Sequence, residues 1–91
     1  MIYNIIISEE AETDIKILKK NEPKAYRKLV KLLLELQEHP TSGTGHPKPL
    51  SGDRNGQWSR RITDKHRLIY TIIKEKIYVY VLSAYGHYED K

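Results

Sequence analysis

Three arginines in the C-terminal half of the chain are spaced so that they could bind a phosphate group. Arg60 and Arg61 are adjacent, so in a strand their side chains must point to opposite faces of the sheet. A three-residue turn, 63–65, would place Arg61 directly opposite Arg67, whereas a four-residue turn would send the two to different faces. Paired guanidinium groups repel each other unless an anion lies between them, and phosphate oxygens match their planar donors. The spacing also allows each arginine to pair with a neighbouring aspartate or with solvent.

A second group of residues that could do chemistry stands at the C-terminal end. His87 follows Gly86, and Tyr85 and Tyr88 flank this pair. Imidazole exchanges a proton near neutral pH, which suits a general acid, and tyrosine rings can stack on nucleic-acid bases. A histidine in this position is more commonly an exposed residue without a role, so the residues alone leave both interpretations open.

The distribution of charge indicates a polyanion as partner. The formal net charge is +4, but residues 1–22 hold five acidic side chains against three lysines. Residues 39–70 carry six lysines and arginines, three histidines and only two aspartates. A basic half of this kind is typical of proteins that bind phosphate backbones, although an ordinary solvated basic surface has the same composition.

Two helices are predicted before this basic region. A β-branched run over residues 2–7 predicts a strand, and Ser8 is a suitable N-cap for a helix that ends near Asn21. Pro23 fits the first turn of a second helix, which must stop before Pro40. The second helix buries a stripe of Tyr26, Leu29, Leu33 and Leu36, widened by Val30 and Leu32.

The remaining residues predict a long loop and a β-meander. Residues 41–56 contain four glycines and two prolines and form the longest irregular stretch, which we expect to be functional. Three strands follow, at about 57–62, 67–73 and 77–84, separated by short turns. The order strand, helix, helix and three strands predicts an α+β fold, with two helices on a four-stranded, mainly antiparallel sheet.

Length and composition restrict the classes of protein that remain. We expect residues 1–91 to form one domain, because two cores could not be built from so short a chain. The chain has no cysteine, so neither disulfides nor thiolate metal sites hold it together. With no signal peptide or apolar run of membrane-spanning length, a cytoplasmic protein without a membrane partner is expected. No metal ligands occur at a recognisable spacing, and no cofactor is expected.

Four sequence motifs together resemble the Txe/YoeB family of toxins, in the RelE/ParE superfamily. They are a G-x-P-x-P-L stretch at Gly45–Leu50, a G-x-W-S-R-R-I run at Gly56–Ile62, an H-R-L-I-Y strand at His66–Tyr70, and the terminal pair His87-Tyr88. All four occur in the family's order and at similar separations, and the resemblance covers about residues 22–88. Each motif is weak alone, but the set is specific.

The resemblance implies a RelE-like microbial RNase fold and metal-independent cleavage of messenger RNA in the ribosomal A site. It also implies inhibition by a co-expressed YefM/Phd-like antitoxin whose C-terminal segment wraps the toxin. By position, Arg61 matches an active-site arginine, Arg67 the arginine that supports the scissile phosphate, His87 the general acid, and Tyr88 the terminal tyrosine. RNA contacts are expected from His46, Arg60, Lys65 and Tyr85. A homodimer is possible, but nothing in the sequence indicates whether the chain forms one.

The chain departs from the family at the position of the general base. Family members usually place glutamate between the two prolines of the loop, where this chain has Lys48, and a lysine near the following leucine is here Ser51. Lys48 could act as the base only after losing its proton, which nearby arginines and partial burial would favour. Alternatively, Lys48 stays charged and binds phosphate, and the base is His46 or water.

Three functions therefore compete. The first is a ribosome-dependent endoribonuclease. The second is a non-catalytic RNA- or ribosome-binding module that lost its base together with the glutamate. The third is a gyrase poison of the ParE type, which shares the fold, although the Trp-Ser-Arg-Arg run and the terminal His-Tyr argue against it.

Overall fold

A computed structural model describes residues 2–86, so His87 and Tyr88 lie outside the described residues. Within this range the chain forms two helices and five strands, which we number in chain order: β1 (Asn4–Ile7), α1 (Glu9–Asn21), α2 (Pro23–Leu36), β2 (Lys48–Pro49), β3 (Gln57–Arg61), β4 (Arg67–Ile73) and β5 (Tyr78–Ser83). Single 3-10 turns precede β3 and β5. No helix in this part of the chain is long and apolar enough to cross a membrane.

The strands form one mixed sheet in the order β1-β5-β4-β3-β2. The pair β1–β5 is parallel and the other three pairs are antiparallel, which confirms the predicted α+β fold with a mainly antiparallel sheet. The prediction of four strands was one too few, because β2 lies inside the predicted loop. A strand of two residues is too short to show a periodic pattern in the sequence. Pro49, which has no N–H to donate, is suited to this edge position.

Both helices begin where the sequence predicts. The Ser8 hydroxyl accepts a hydrogen bond from the Ala11 N–H and donates one to the Leu82 carbonyl, so this cap also ties α1 to β5. Helix α2 starts at Pro23 and ends at Leu36, four residues before Pro40.

The core lies between the two helices and one face of the sheet. Helix α2 buries Leu29, Leu32 and Leu36, whereas the predicted widening of this stripe at Val30 is wrong, since Val30 is exposed. Together with Ala11, Leu18 and Ala25, these residues pack against buried side chains of β4 and β5, namely Leu68, Tyr70, Val79 and Val81. The two helices do not cover the opposite face of the sheet, where Ser59 and Ile69 are nevertheless buried as well.

Arg60 is buried on the helix-facing side of the sheet. Its side chain is 0% exposed, and it forms an ion pair of 3.0 Å with Glu35 of α2. Its Nε atom donates to the Tyr70 hydroxyl at 3.3 Å, and its Nη atoms donate to the backbone carbonyls of His39, Ser42 and Thr44. The predicted RNA contact of Arg60 is therefore wrong, because no part of the side chain reaches the surface.

Glu35 and Tyr70 complete this buried group, which we call the Arg60 cluster. Glu35 accepts hydrogen bonds from the Thr44 N–H at 2.9 Å and the Thr44 hydroxyl at 2.7 Å, and Tyr70 donates to the Pro40 carbonyl at 2.7 Å. The hydrogen bonds from Thr44, followed by the charge of Arg60, lower the pKa of Glu35, while burial raises the pKa of Tyr70. The cluster fastens the start of the long loop to α2 and the sheet.

The adjacent arginines provide a matched test of this arrangement. Arg60→Met should lower the free energy of unfolding by about 3–5 kcal/mol, because Glu35 and several acceptors lose their partner. Arg61→Met, whose side chain is 52% exposed, should change it by less than about 0.5 kcal/mol. Urea unfolding measures both values. Equal losses in the two variants would contradict the assignment of Arg60 to the interior.

The Glu35 carboxylate should make stability depend on pH. Because its folded pKa is lowered, its contribution is fully present above the ordinary value of 4.5 and disappears as the pH falls from there through the lowered pKa. The difference in unfolding free energy between the native chain and Glu35→Gln should therefore shrink across that range. Glu38→Gln, an exposed residue one turn further on, should keep the pH dependence of the native chain. An identical pH profile for Glu35→Gln and the native chain would exclude this role.

Candidate active site

The turn between β3 and β4 places two arginines opposite each other. The carbonyl of His66 accepts hydrogen bonds from the N–H groups of Ile62 and Thr63, at 3.0 and 3.2 Å. This closure pairs Arg61 directly with Arg67 in the antiparallel register. Of the two arrangements that the spacing allowed, the structure has the one with a three-residue turn, and both arginines project from the face opposite the helices.

Backbone hydrogen bonds extend this pair on both sides. The Arg61 N–H donates to the Gly45 carbonyl at 2.7 Å, and the Arg67 N–H donates to the Gly86 carbonyl at 2.9 Å. Gly45 has a φ of 87°, and a Cβ there would lie 2.9 Å from the Arg61 carbonyl oxygen, so only glycine permits this approach. Four separate segments of the chain, each with a predicted site residue in or next to it, therefore lie side by side.

The guanidinium group of Arg67 is oriented by carbonyl oxygens of the turn. Its Nη1 donates to Thr63 at 2.5 Å, and to His66 and Asp64 at 3.2 and 3.3 Å. Within residues 2–86, all hydrogen bonds of this side chain use Nη1, which leaves Nε and Nη2 to another acceptor. Arg61 is less constrained, since its Nη1 lies 4.0 Å from an Asp64 carboxylate oxygen in an exposed pair that contributes little energy.

Lys48 belongs to the same face of the sheet. It pairs with Ser59 across β2 and β3, and Arg61 lies two residues beyond Ser59 on that face. Such diagonal neighbours are about 7–8 Å apart, which is within reach of long side chains. Lys48, Arg61 and Arg67 form what we call the cationic corner. The like charges of Arg61 and Arg67 lie directly opposite each other, so an anion bound between these two groups would relieve their repulsion.

Among the other predicted site residues that the structure describes, all but one lie around this corner. His46 and Lys65 are exposed, in the loop before β2 and in the turn after β3, and Tyr85 is 47% exposed. Arg60 points to the opposite face and is buried. His87 and Tyr88 follow Gly86 in the sequence and lie outside the described residues.

His66 is a residue of this region for which the sequence suggested no role of its own. It is 3% exposed, its Nε2 lies 2.9 Å from a carboxylate oxygen of Glu22, and its Nδ1 accepts the Gly86 N–H at 2.9 Å. The ring of Tyr85 packs against it, with 4.5 Å between the ring centroids. The sequence indicated His66 only through its place in the H-R-L-I-Y motif, and a motif does not show which residues its members contact.

The arrangement is suited to binding and polarising a phosphodiester. Guanidinium and ammonium groups on an accessible face can hold phosphate oxygens and stabilise negative charge that develops on them. Among the described residues, no group of three or more histidine, aspartate or glutamate side chains is placed to hold a metal ion.

Comparisons with known proteins agree with the fold and the motifs. The family model for the YoeB-like toxin of bacterial type II toxin-antitoxin systems matches residues 7–88. Toxin YoeB of Mycobacterium bovis is 45% identical over 65 residues, covering 71% of this chain and 74% of that protein.

Two solved structures from Staphylococcus aureus are also similar. A YoeB dimer superposes with a TM-score of 0.82 at 31% identity, covering 97% of this chain and 100% of the other. A YoeB-YefM complex gives 0.81 at 32% identity, covering 94% and 98%. With the family model spanning nearly the whole chain, this protein belongs to the YoeB-like toxins of bacterial type II toxin-antitoxin systems.

Proposed function

We propose that this toxin is a ribosome-dependent endoribonuclease that cleaves messenger RNA without a metal ion. The observation that carries the proposal is the cationic corner, in which Arg61 and Arg67 face each other beside Lys48. Like charges in this arrangement do not stabilise the sheet, so their role is best understood as binding an anion. A phosphodiester of RNA is the anion that fits both the chemistry and the family.

The proposed reaction uses the substrate's own 2′-hydroxyl as nucleophile. The 2′-oxygen loses its proton to a base and attacks phosphorus, and the bond from phosphorus to the 5′-oxygen breaks as that oxygen takes a proton from an acid. The products are a 2′,3′-cyclic phosphate and a 5′-hydroxyl. DNA lacks the 2′-oxygen and cannot react in this way.

The two arginines stabilise charge in this scheme. Arg67, already oriented by the turn carbonyls, presents its remaining donors to the scissile phosphate, and Arg61 approaches from the opposite strand. Donors that are fixed before the reaction stabilise the transition state without a cost of reorganisation. His87 is the general acid by its position in the family motif, with Tyr88 beside it.

The role of Lys48 is to contact the phosphate. The residue is exposed, and it lies on the same face of the sheet as Arg61. The base is then His46, in the same loop, or a water molecule. Lys65, His46 and the exposed part of Tyr85 supply further RNA contacts around the corner.

The partners follow from the family. The toxin is inhibited by a cognate YefM/Phd-like antitoxin, as the YoeB-YefM complex supports, and it acts on messenger RNA bound to the ribosome. The YoeB dimer of similar fold supports a homodimer of this chain. The protein acts in the cytoplasm, where ribosomes and messenger RNA are found.

Loss of the acid or of the arginine donor should abolish cleavage. His87→Gln should slow cleavage of ribosome-bound messenger RNA by about 10²–10⁴-fold, and Arg67→Ala by about 10²–10³-fold. Arg27→Ala, an exposed arginine on α2, is the matched control and should cleave at the native rate. Primer extension after induction in cells, and cleavage kinetics with purified ribosomes, measure these effects. A native chain that blocks translation without breaking messenger RNA would instead support the non-catalytic alternative.

Two substitutions distinguish the possible roles of Lys48. Arginine keeps the positive charge but does not give up its proton, whereas methionine keeps only the length of the side chain. If Lys48 contacts phosphate, Lys48→Arg should cleave within about tenfold of the native rate and Lys48→Met should lose about 10²-fold or more. Equal and severe loss in both variants would identify Lys48 as the general base.

A further inference from the structure

Gly86 is held at both of its backbone polar atoms. Its N–H donates to His66 Nδ1 at 2.9 Å, and its carbonyl accepts the Arg67 N–H at 2.9 Å. Gly86 has a φ of 80°, in the left-handed region where glycine is accommodated without strain. Glycine loses the most conformational freedom when it is ordered, so a glycine in this position needs external contacts to adopt one conformation.

His66 is itself held by contacts at both of its ring nitrogens. It is buried, and because Nδ1 accepts a hydrogen bond, the proton of the neutral ring lies on Nε2 and is donated to Glu22. Glu22 stands at the junction between α1 and α2, and Tyr85 covers the ring of His66. A continuous series of contacts therefore runs from the helix junction to the residue that precedes His87 in the sequence.

We infer that His66, supported by Glu22, is a positioning residue that fixes the backbone of Gly86, the residue that directly precedes the proposed general acid in the sequence. The inference rests on the proposed function, in which His87 is the general acid. The hydrogen bond from the Arg67 N–H fixes only the carbonyl oxygen of Gly86. The second hydrogen bond, which the Gly86 N–H donates to His66, also fixes the peptide plane between Tyr85 and Gly86. A misplacement of about 1 Å in a catalytic group can cost about a hundredfold in rate.

Two amide substitutions separate the two hydrogen bonds of His66. In His66→Asn the Oδ1 atom takes the place of Nδ1 and can still accept the Gly86 N–H, while the contact to Glu22 is lost. In His66→Gln the amide nitrogen takes the place of Nε2 and can still donate to Glu22, while the acceptor for Gly86 is lost. Each variant loses one hydrogen bond, and the one lost in His66→Asn joins a charged group, so a purely structural role predicts that His66→Asn lowers cleavage at least as much as His66→Gln.

Positioning predicts unequal effects on cleavage of ribosome-bound messenger RNA. His66→Gln should lower the single-turnover rate at saturating toxin by about ten- to hundredfold, with the half-saturating concentration changed by less than about twofold. His66→Asn should stay within about threefold of the native rate. Hydrogen exchange at the Gly86 amide should be faster in His66→Gln than in His66→Asn. His39→Gln, an exposed histidine, is the control and should match the native chain.

The outcomes separate this inference from the proposed function. If the native chain cleaves and His87→Gln does not, but His66→Gln cleaves like the native chain or loses no more than His66→Asn, the positioning role is overturned and the nuclease assignment stands. If the native chain itself does not cleave, both fail. Should His66→Gln not fold, His66→Met takes its place. That variant also removes the acceptor for the Gly86 N–H and should lower the rate by about tenfold or more, whereas a rate within about threefold of the native chain would overturn the inference.

Discussion

Strand β3 carries two consecutive arginines, and the alternation of side chains along a strand sends them to opposite faces of the sheet. Arg60 enters the interior, where Glu35, Tyr70 and three carbonyl oxygens neutralise and satisfy it. Arg61 emerges on the other face beside Arg67. One local constraint thus gives one arginine a structural role and the other a place at the candidate active site.

The two arginines are connected through the long loop. The Arg60 cluster fastens the loop at 39–44, and immediately afterwards Gly45 pairs with the backbone of Arg61. The loop therefore reaches β2 in a fixed position, and Lys48 is brought to the same face as the paired arginines. A loop that looks irregular in the sequence is thus fastened at 39–45 by hydrogen bonds to Glu35, Arg60 and Arg61, because buried polar groups require partners.

At the cationic corner, repulsion between like charges lowers the stability of the sheet. Arg61 and Arg67 carry like charges on paired strands, and the fold compensates elsewhere through its leucine core and the Arg60 cluster. What the fold gains is a set of donors that is oriented before any anion binds. His66 adds the same kind of order on the far side of Arg67, where the chain leads towards its terminal residues.

The sequence by itself determined the elements, the class of the fold and the family. Ser8 and Pro23 mark helix starts, the strand patterns place β3 to β5 within one or two residues, and the four motifs identify the toxin family. These signals are readable because capping, periodicity and turns depend on neighbours in the chain. Trp58, Arg60 and Ile62 occupy alternate positions in the sequence, which also indicates that Arg60 faces the core. This indication is easily overlooked, because an arginine is rarely buried.

Tertiary structure alone decided the rest. The two-residue strand β2 exists only because β3 lies beside it. The sequence allowed a turn of three or four residues between β3 and β4, and only the three-residue turn pairs Arg61 with Arg67. Contacts such as that of His66 with Glu22 join residues 44 positions apart and depend on how the helix junction packs against the turn. No local pattern records such contacts, because their energy is gained only when the whole chain has folded.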